Sequence, residues 1–385
     1  MSEWKDQILG DLAEIITGAT PKATETDSWG DEIDFITPTD QRNNSREAFP
    51  QRRLSQIGAK RLYKRLVPAQ STNLTCIGST IGKVSMAARE AVTNQQINSL
   101  IARQGVADPT FLYYLIKNWS STLRIEASGS ATPIINKSVL ARYKFKVPGL
   151  QWQRAIGDIL GTLDDKIAAN EQLIAKADDL ASVKWILACR SGSTVPLSSL
   201  ARFVNGKAFT KDASGAGRVV IRIAELNSGI GASTVYNDIE VPEDHLARPG
   251  DLLFSWSGSL TVARWFREEA IVNQHIFKVI PTGNLPIWLV NHALRDKLQE
   301  FKAIAADKAT TMGHIQRRHL DEPVTIPESE QIGRFDGLMS ALWERALAAE
   351  QENLQLESTR DQLLPLLMSG KVRVRDAEKV VEGVV

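Results

Sequence analysis

The chain has 385 residues, enough for two or three domains, and its 24% charged and 43% apolar residues are those of a globular protein. Its 46 Lys and Arg against 45 Asp and Glu leave a formal charge of +1, so it is no polycation that coats nucleic acid, and any charge directed at DNA has to be local. The two cysteines, Cys76 and Cys189, cannot build a disulfide framework, and with no signal sequence and no apolar run of ~18 residues the chain reads as soluble and cytoplasmic.

Residues 1–150 are of mixed type. Short alternating or apolar runs predict strands at Ile33–Ile36, Leu74–Ile77, Ser99–Ala102 and Lys144–Val147, and a helix at Phe111–Asn118. Residues 151–188 then read as one helix, in which Leu160, Leu163, Ile167, Asn170, Ile174, Ala177 and Ala181 recur at spacings of three and four. Such spacing puts an apolar stripe on one side of a helix. Residues 189–196 read as a linker, and 197–327 as a second mixed segment, with strands at Val219–Ile223, Asp251–Trp256 and Ile276–Ile280 and a helix at Ile287–Leu298. A second helix occupies 328–370, with Met339, Leu342, Ala346, Ala349, Asn353, Leu356 and Arg360 on its stripe, which continues through Leu363 and Leu367. Pro148 and Pro327 lie shortly before the two helices, Pro365 and Gly370 mark the end of the second, and 371–385 form a tail.

The chain is written twice. Leu9–Gly18 (LGDLAEIITG) reappears as Leu197–Gly206 (LSSLARFVNG) at an offset of 188. Asp34–Asp40 matches Val219–Glu225 in hydrophobic pattern, Asn94-Gln95 matches Asn273-Gln274, Phe111-Leu112 matches Trp288-Leu289, and Val147-Pro148 matches Ile326-Pro327. The matches keep their order while the offset drifts slowly, as a duplication with loop insertions would leave them. The second helical stripe is the first displaced by 179, position by position. Two helices in one register suit pairing with each other, and a pseudo-twofold axis would make that pairing antiparallel. Asn170 and Asn353 on the seam are candidates for fixing register. The alternative is two surface helices, each packed on its own domain.

Positive charge gathers in patches. Between Arg42 and Arg65 there are 8 basic residues and one acid, Glu47; Lys137, Arg142, Lys144 and Lys146 form another acid-free stretch. Such runs can neutralise phosphates. The loop Thr37–Arg46 mixes Arg, Asn, Gln and hydroxyls, the side chains that read base edges in the major groove. The candidate DNA contacts are Thr37, Thr39, Asp40, Arg42, Asn43, Asn44, Arg46, Lys83 and Lys137 in the first half. By analogy they are Arg218, Arg222, Asn227, Arg264, Arg317 and Arg318 in the second.

Catalytic signatures are missing. The five histidines, His245, His275, His292, His314 and His319, have no metal-ligand spacing. Gly78–Lys83 (GSTIGK) resembles a phosphate loop, but it has three residues between its glycines instead of four, and Val84 stands where the magnesium-binding hydroxyl belongs. No methyltransferase, nuclease or nucleophile-elbow motif occurs. No catalytic residue and no metal site are expected. The chain reads as a binding protein; an enzyme with its own recognition domains, or a helical adapter that never binds DNA, are the rival readings.

The duplicated globular segments alternating with matched helices resemble the specificity subunit of type I restriction–modification enzymes. Leu12–Pro21 (LAEIITGATP), Asp34–Thr37 (DFIT), Ile77–Val84 (IGSTIGKV), Asn94–Gln96 and Gly129–Ile135 (GSATPII) are similar to that family's segments, as are Asn273-Gln274, Thr310–Ile315 (TTMGHI) and Glu330-Gln331 in the second half. The resemblance implies an α+β fold with two similar target recognition domains, 1–150 and 197–327. It further implies that the two long helices pair as an antiparallel coiled coil, with Leu160, Leu163, Ile167, Ile174, Met339, Leu342, Ala346, Leu356 and Leu363 in its seam. It implies a subunit without catalysis of its own that reads a bipartite target on double-stranded DNA and docks two methyltransferase subunits and motor–nuclease subunits. S-adenosylmethionine, ATP and Mg2+ would belong to those partners, with no cofactor in this chain. A helix of roughly 30 residues is ~45 Å long, against ~34–36 Å for one turn of B-DNA, so such a bundle could hold two readers about one turn apart.

Overall fold

The computed structural model describes residues 4–42, 45–127, 134–307 and 313–385. It divides into two compact units: Met1–Ala169 with Asn353–Val385, and Asn170–Glu352. Each unit therefore takes part of both long helices.

In the first unit, strands Ala13–Thr17, Ile97–Ala102, Thr72–Thr75 and Val84–Met86 form an antiparallel sheet in that order. The helix Pro109–Ala127 packs on this sheet and buries Phe111, Tyr113, Tyr114, Ile116 and Leu123. A second sheet runs Trp29–Gly30, Arg52–Leu54, Ile33–Ile36, Ala91–Thr93 and Leu66–Val67, and its Ile33–Ile36 and Ala91–Thr93 strands are parallel. Strands Lys5–Ile8 and Lys144–Val147 pair separately.

The second unit repeats this plan. Ala201–Asn205, Ile276–Pro281, Leu252–Ser255 and Thr261–Arg264 make the antiparallel sheet, and Ile287–Asp307 is its helix. Val235–Asn237, Arg218–Ile221, Ala270–Val272 and Leu246–Ala247 make the other sheet, again with a parallel central pair. Strand order and the position of the parallel pair recur, so the weak sequence repeat is a true repeat of the fold.

The repeated motif has a steric cause. Gly18 donates its N–H to the Ile97 carbonyl, and a Cβ there would lie 2.1 Å from the Thr93 carbonyl oxygen. Gly206 donates to the Ile276 carbonyl, and its Cβ would lie 2.1 Å from the Asn273 carbonyl oxygen. Only glycine lets the strand end approach the Thr-Asn and Val-Asn turns so closely.

The helices run over Leu150–Ala188 and Ser329–Met368. In the first unit Leu160, Leu163 and Ile167 share one core with Leu356, Leu363, Leu364 and Leu367. In the second, Ala181 and Trp185 share a core with Met339, and Ala346 and Ala349 are buried, whereas Ile174 and Leu342 are half-buried. Asp164 contacts Arg360 in the first unit and Asn170 contacts Glu352 in the second, so partner numbers fall as those of the first helix rise and the pairing is antiparallel. Asn170 is buried and donates to the Glu352 carboxylate at 2.8 Å; its seam partner is thus a carboxylate one residue before Asn353.

Two segments differ from their sequence reading. Within 189–196, expected as a linker, Cys189–Ser191 form a 3-10 turn and Ser193–Pro196 a strand paired with Pro323–Ile326. The adjacent polar Ser193 and Thr194 hid the strand, since the pairing lies in the backbone. The tail 371–385 contains the helix Val374–Glu382, which buries Ala377 and Val381 in the first core. Gly370, at φ +69°, makes the turn between the two C-terminal helices.

The two units close their helix pairs differently. In the first, the fully buried Asp164 accepts from Arg360 Nη1 at 2.6 Å and from the Tyr114 hydroxyl at 2.6 Å. In the second, Trp185 Nε1 donates to Asp296 and Trp288 Nε1 to Asp336, at 2.6 and 2.8 Å. Arg360→Leu alone leaves the Asp164 charge without its cation, and is expected to cost ~3–5 kcal/mol in urea unfolding. Asp164→Leu with Arg360→Leu should recover most of that. A single-variant loss within the ~0–1 kcal/mol of an exposed pair would contradict the buried ion pair.

His292 stacks on Trp185 with centroids 5.5 Å apart. Burial, aided by the Arg295 charge, pushes its pKa down to about 4. Because the folded value lies below the unfolded ~6.5, the neutral ring stabilises the fold above that pH, and up to ~3 kcal/mol is lost as the pH falls toward 4. Urea midpoints at pH 7 and pH 4.5 should therefore fall further for the wild type than for His292→Phe; equal falls would refute this.

Candidate nucleic-acid interface

The loop that follows strand Ile33–Ile36 is built around the buried carboxylate of Asp40. It accepts from the Thr37 N–H and hydroxyl, both at 2.7 Å, and from the Gln51 N–H at 3.3 Å. Gln41, also buried, donates to the Asn73 carbonyl and the Ser85 hydroxyl and accepts from Thr75. Lys83 Nζ donates to the Pro38 carbonyl at 3.0 Å. Thr37, Asp40 and Lys83, three of the expected DNA contacts, thus take part in holding the loop on the sheet. Among its described residues the loop presents Thr39 and Arg42 to solvent. The Arg42 guanidinium lies 4.3 Å from the centre of the exposed Phe49 ring. Asn43 and Asn44 lie outside the described residues, as do the cores of the motifs at 129–133 and 310–312.

Several other expected DNA contacts are neutralised within the fold. Arg46 Nη2 donates to Asp165 on the first long helix at 2.5 Å. Arg218 is bound to Glu269 and to the Ile239 carbonyl. Arg222 makes a two-pronged contact with Glu225 and also donates to the Ser233 carbonyl. The carboxyl of Glu225 is buried, yet hydrogen bonds from Arg222 and Thr234 hold it below the usual carboxylate range. Asn227 accepts from the Thr261 hydroxyl. Arg264, with its side chain 6% exposed, grips Glu350 through Nε and Nη2 at 2.8 and 3.0 Å and lies over the Trp343 ring. Arg46 and Arg264 therefore fasten a sheet domain to a long helix. A buried guanidinium finds a carboxylate wherever the fold offers one, because leaving it unpaired is costly.

The structure leaves Lys137, Arg317 and Arg318 exposed, and none has an ion pair among the described residues. It also brings forward cations that sequence reasoning did not single out. The Arg52 guanidinium lies 3.4 Å from the Trp29 ring centre. Arg53 and Arg89 converge on the buried Asp34, Arg89 with Nε and Nη2 at 2.8 and 2.7 Å. Arg42, Phe49, Gln51, Arg53 and Arg89 line a groove of about 540 Å³. The signal for Arg52 and Arg53 was present as the basic run from Arg42, but their aromatic and acidic partners could not be read from it.

Burial raises both thiols, Cys76 and Cys189, to about 11, so neither is an ionised nucleophile at neutral pH. Among the described residues no group of His, Cys, Asp and Glu could hold a metal ion, and no helix is long and apolar enough to cross a membrane.

The repeated fold with its basic surfaces has counterparts among known proteins. Residues 1–178 match the family model described as the type I restriction modification DNA specificity domain. The type I restriction enzyme MjaIX specificity subunit of Methanocaldococcus jannaschii is 24% identical over 97% of this chain and 94% of its own length. The HindI specificity subunit of Haemophilus influenzae is 34% identical over 148 residues, 38% of this chain and 32% of that protein. The crystal structure of the S subunit of a type I system from M. genitalium shares the fold, with a TM-score of 0.62 at 16% identity over 95% of this chain and 96% of that one. The chain is thus similar, over nearly its whole length, to a specificity subunit of a type I restriction enzyme.

The Arg264 clamp is testable by itself. Burial already pushes the Glu350 carboxyl upward against the pull of Arg264, so Arg264→Met should destabilise the chain by ~3–5 kcal/mol in urea unfolding. Exposed Arg317→Gln with Arg318→Gln should leave the urea midpoint unchanged. Equal effects of the two changes would remove the distinction between clamp and surface cation.

Proposed function

We propose that each unit reads one half of a bipartite, asymmetric target on double-stranded DNA. The observation that carries this reading is the repeated fold. Two sheet domains of one topology, each fastened to paired helices, supply two similar but non-identical readers in one chain. Two readers that differ in sequence favour a target whose halves differ. The helices act as the spacer and as the docking surface for two methyltransferase subunits, and motor–nuclease subunits join that complex. Adenine methylation with S-adenosylmethionine, and ATP- and Mg2+-dependent translocation and cleavage, then belong to the partners, and the assembly works in the cytoplasm. The boundaries of the readers are 1–150 and 197–327, with Thr39, Arg42 and Lys137 in the first and Arg317 and Arg318 in the second as the DNA contacts left available.

Single-molecule methylation mapping tests this. DNA would be taken from cells making a cognate methyltransferase subunit with and without this chain. A two-part methylated motif that requires the chain is the expected result. No new motif from a soluble, assembled complex would move the role to a helical adapter.

A further inference from the structure

We propose that the first recognition domain holds duplex DNA chiefly through the stretch 42–64, where three cations rest on aromatic rings, and that the second domain does not use the corresponding stretch. This rests on the DNA-reading role proposed above and assigns its contact surface.

The three cations are Arg42 on Phe49, Arg52 on Trp29 and Lys64 on Tyr63, at 4.3, 3.4 and 5.6 Å from the ring centres. None has a carboxylate within ion-pair distance among the described residues. Their neighbours differ: Arg46 is tied to Asp165, Arg61 to Asp27, and Arg53 to Asp34. A ring beneath a cation restrains the side chain without cancelling its charge or occupying its N–H edges. Such a group is held ready for an anion or for the acceptors of a base edge. Two of the three rings are open, Phe49 at 39% and Tyr63 at 61% exposed, while Trp29 is half-buried. Two grooves share Pro50, Gln51 and Arg53 as a common wall, one lined by Arg42 and Phe49, the other by Trp29 and Arg52. Strand Arg52–Leu54 leads straight into the helix Gln56–Arg61 and the turn Tyr63–Arg65.

The second domain has the opposite charge at the corresponding place. The interval lies between the inner parallel strand and the short strand paired with its neighbour, Leu66–Val67 in the first domain and Leu246–Ala247 in the second. There the turn Tyr63–Arg65 is replaced by Glu243–His245, and residues 222–246 hold Glu225, Asp238, Glu240, Glu243 and Asp244 against one arginine, Arg222. That arginine is already taken by Glu225. Glu243 and Asp244 are paired with Arg248 and Arg202, which leaves Asp238 and Glu240 and no unpaired cation within the segment to meet a phosphate, so the two domains do not present equivalent surfaces to DNA.

The test is the salt dependence of binding by the intact chain to a mixed-sequence 30-base-pair duplex, followed by fluorescence anisotropy. Arg42→Gln, Arg52→Gln and Lys64→Gln together should lower the slope of log affinity against log salt by about 2 to 3, since each phosphate contact contributes ~0.9. Removing three exposed lysines elsewhere, Lys176→Gln, Lys302→Gln and Lys379→Gln, should leave the slope unchanged, with the urea midpoint checking that both variants fold. On the mapped target, Arg52→Lys should keep the slope but relax one position if the guanidinium fork reads a base, and keep both if it meets a phosphate; either result supports the assignment. A triple variant with the slope of the lysine control overturns it. A wild-type chain that binds no duplex at any salt would overturn the DNA-reading role itself.

Discussion

A helix of 39 residues with one apolar stripe cannot keep that stripe in water. It needs a partner along its length, and here the partner is the second long helix of the same chain. The consequence reaches every other part of the structure. Because the pairing is antiparallel, the start of the first helix meets the end of the second, and the first compact unit is assembled from the two ends of the chain, while the second is one continuous stretch. The first unit joins residues up to Ala169 with those after Asn353, and its core holds Leu9 and Val381 together. Polar clamps fasten the sheet domains to this frame, among them Arg46 to Asp165 in one and Arg264 to Glu350 in the other.

The clamps explain why an ordinary net charge is compatible with DNA binding. Arginines serve two purposes here that sequence does not separate. Arg222, Arg264 and Arg360 are spent on carboxylates inside the fold, where an unpaired charge would be costly. Arg42 and Arg52 rest on aromatic rings and keep their donors. Only the second kind contributes to a field that DNA can feel. Counting basic residues therefore overstates the interface, and burial decides which of them count.

What was legible follows from the range of the interaction. The strands at Ile33–Ile36 and Lys144–Val147 and the long helices could be read directly because alternation and 3-4 spacing are local patterns. The seam was legible for the same reason, down to Leu160, Leu163 and Ala346. The strand Ser193–Pro196 was not, because its partner lies at Pro323–Ile326 and its four residues are too few to show an alternation, Val195 alone being half-buried. The internal partners of the candidate DNA contacts were the least legible. Arg264 finds its carboxylate 86 residues away, and Arg46 finds its own 119 residues away. Asp40 looked like a base contact because Asp, Thr and Arg gather in its loop, yet a loop needs an internal acceptor to hold its backbone N–H groups, and Asp40 is that acceptor.

The repeat also shows which parts of a recognition domain are free to change. Gly18 and Gly206 are retained because backbone carbonyls occupy the space a Cβ would need. The helix seam is retained in register because each stripe is the other's core. Side-chain pairs that link elements within one unit are not retained as such. Near the parallel strands the first domain gathers Arg53 and Arg89 on Asp34, while the second gathers Arg218 and Arg248 on Glu269. In the first the acid stands on the inner strand, and in the second it stands just before the neighbouring strand. Two arginines sharing one carboxylate bind the same edges together whichever strand supplies the acid. The fold constrains the balance of charge at that junction and leaves its arrangement open. The loops between 37 and 65 and between 222 and 245 escape even that constraint, which is where two copies of one domain can come to face different DNA.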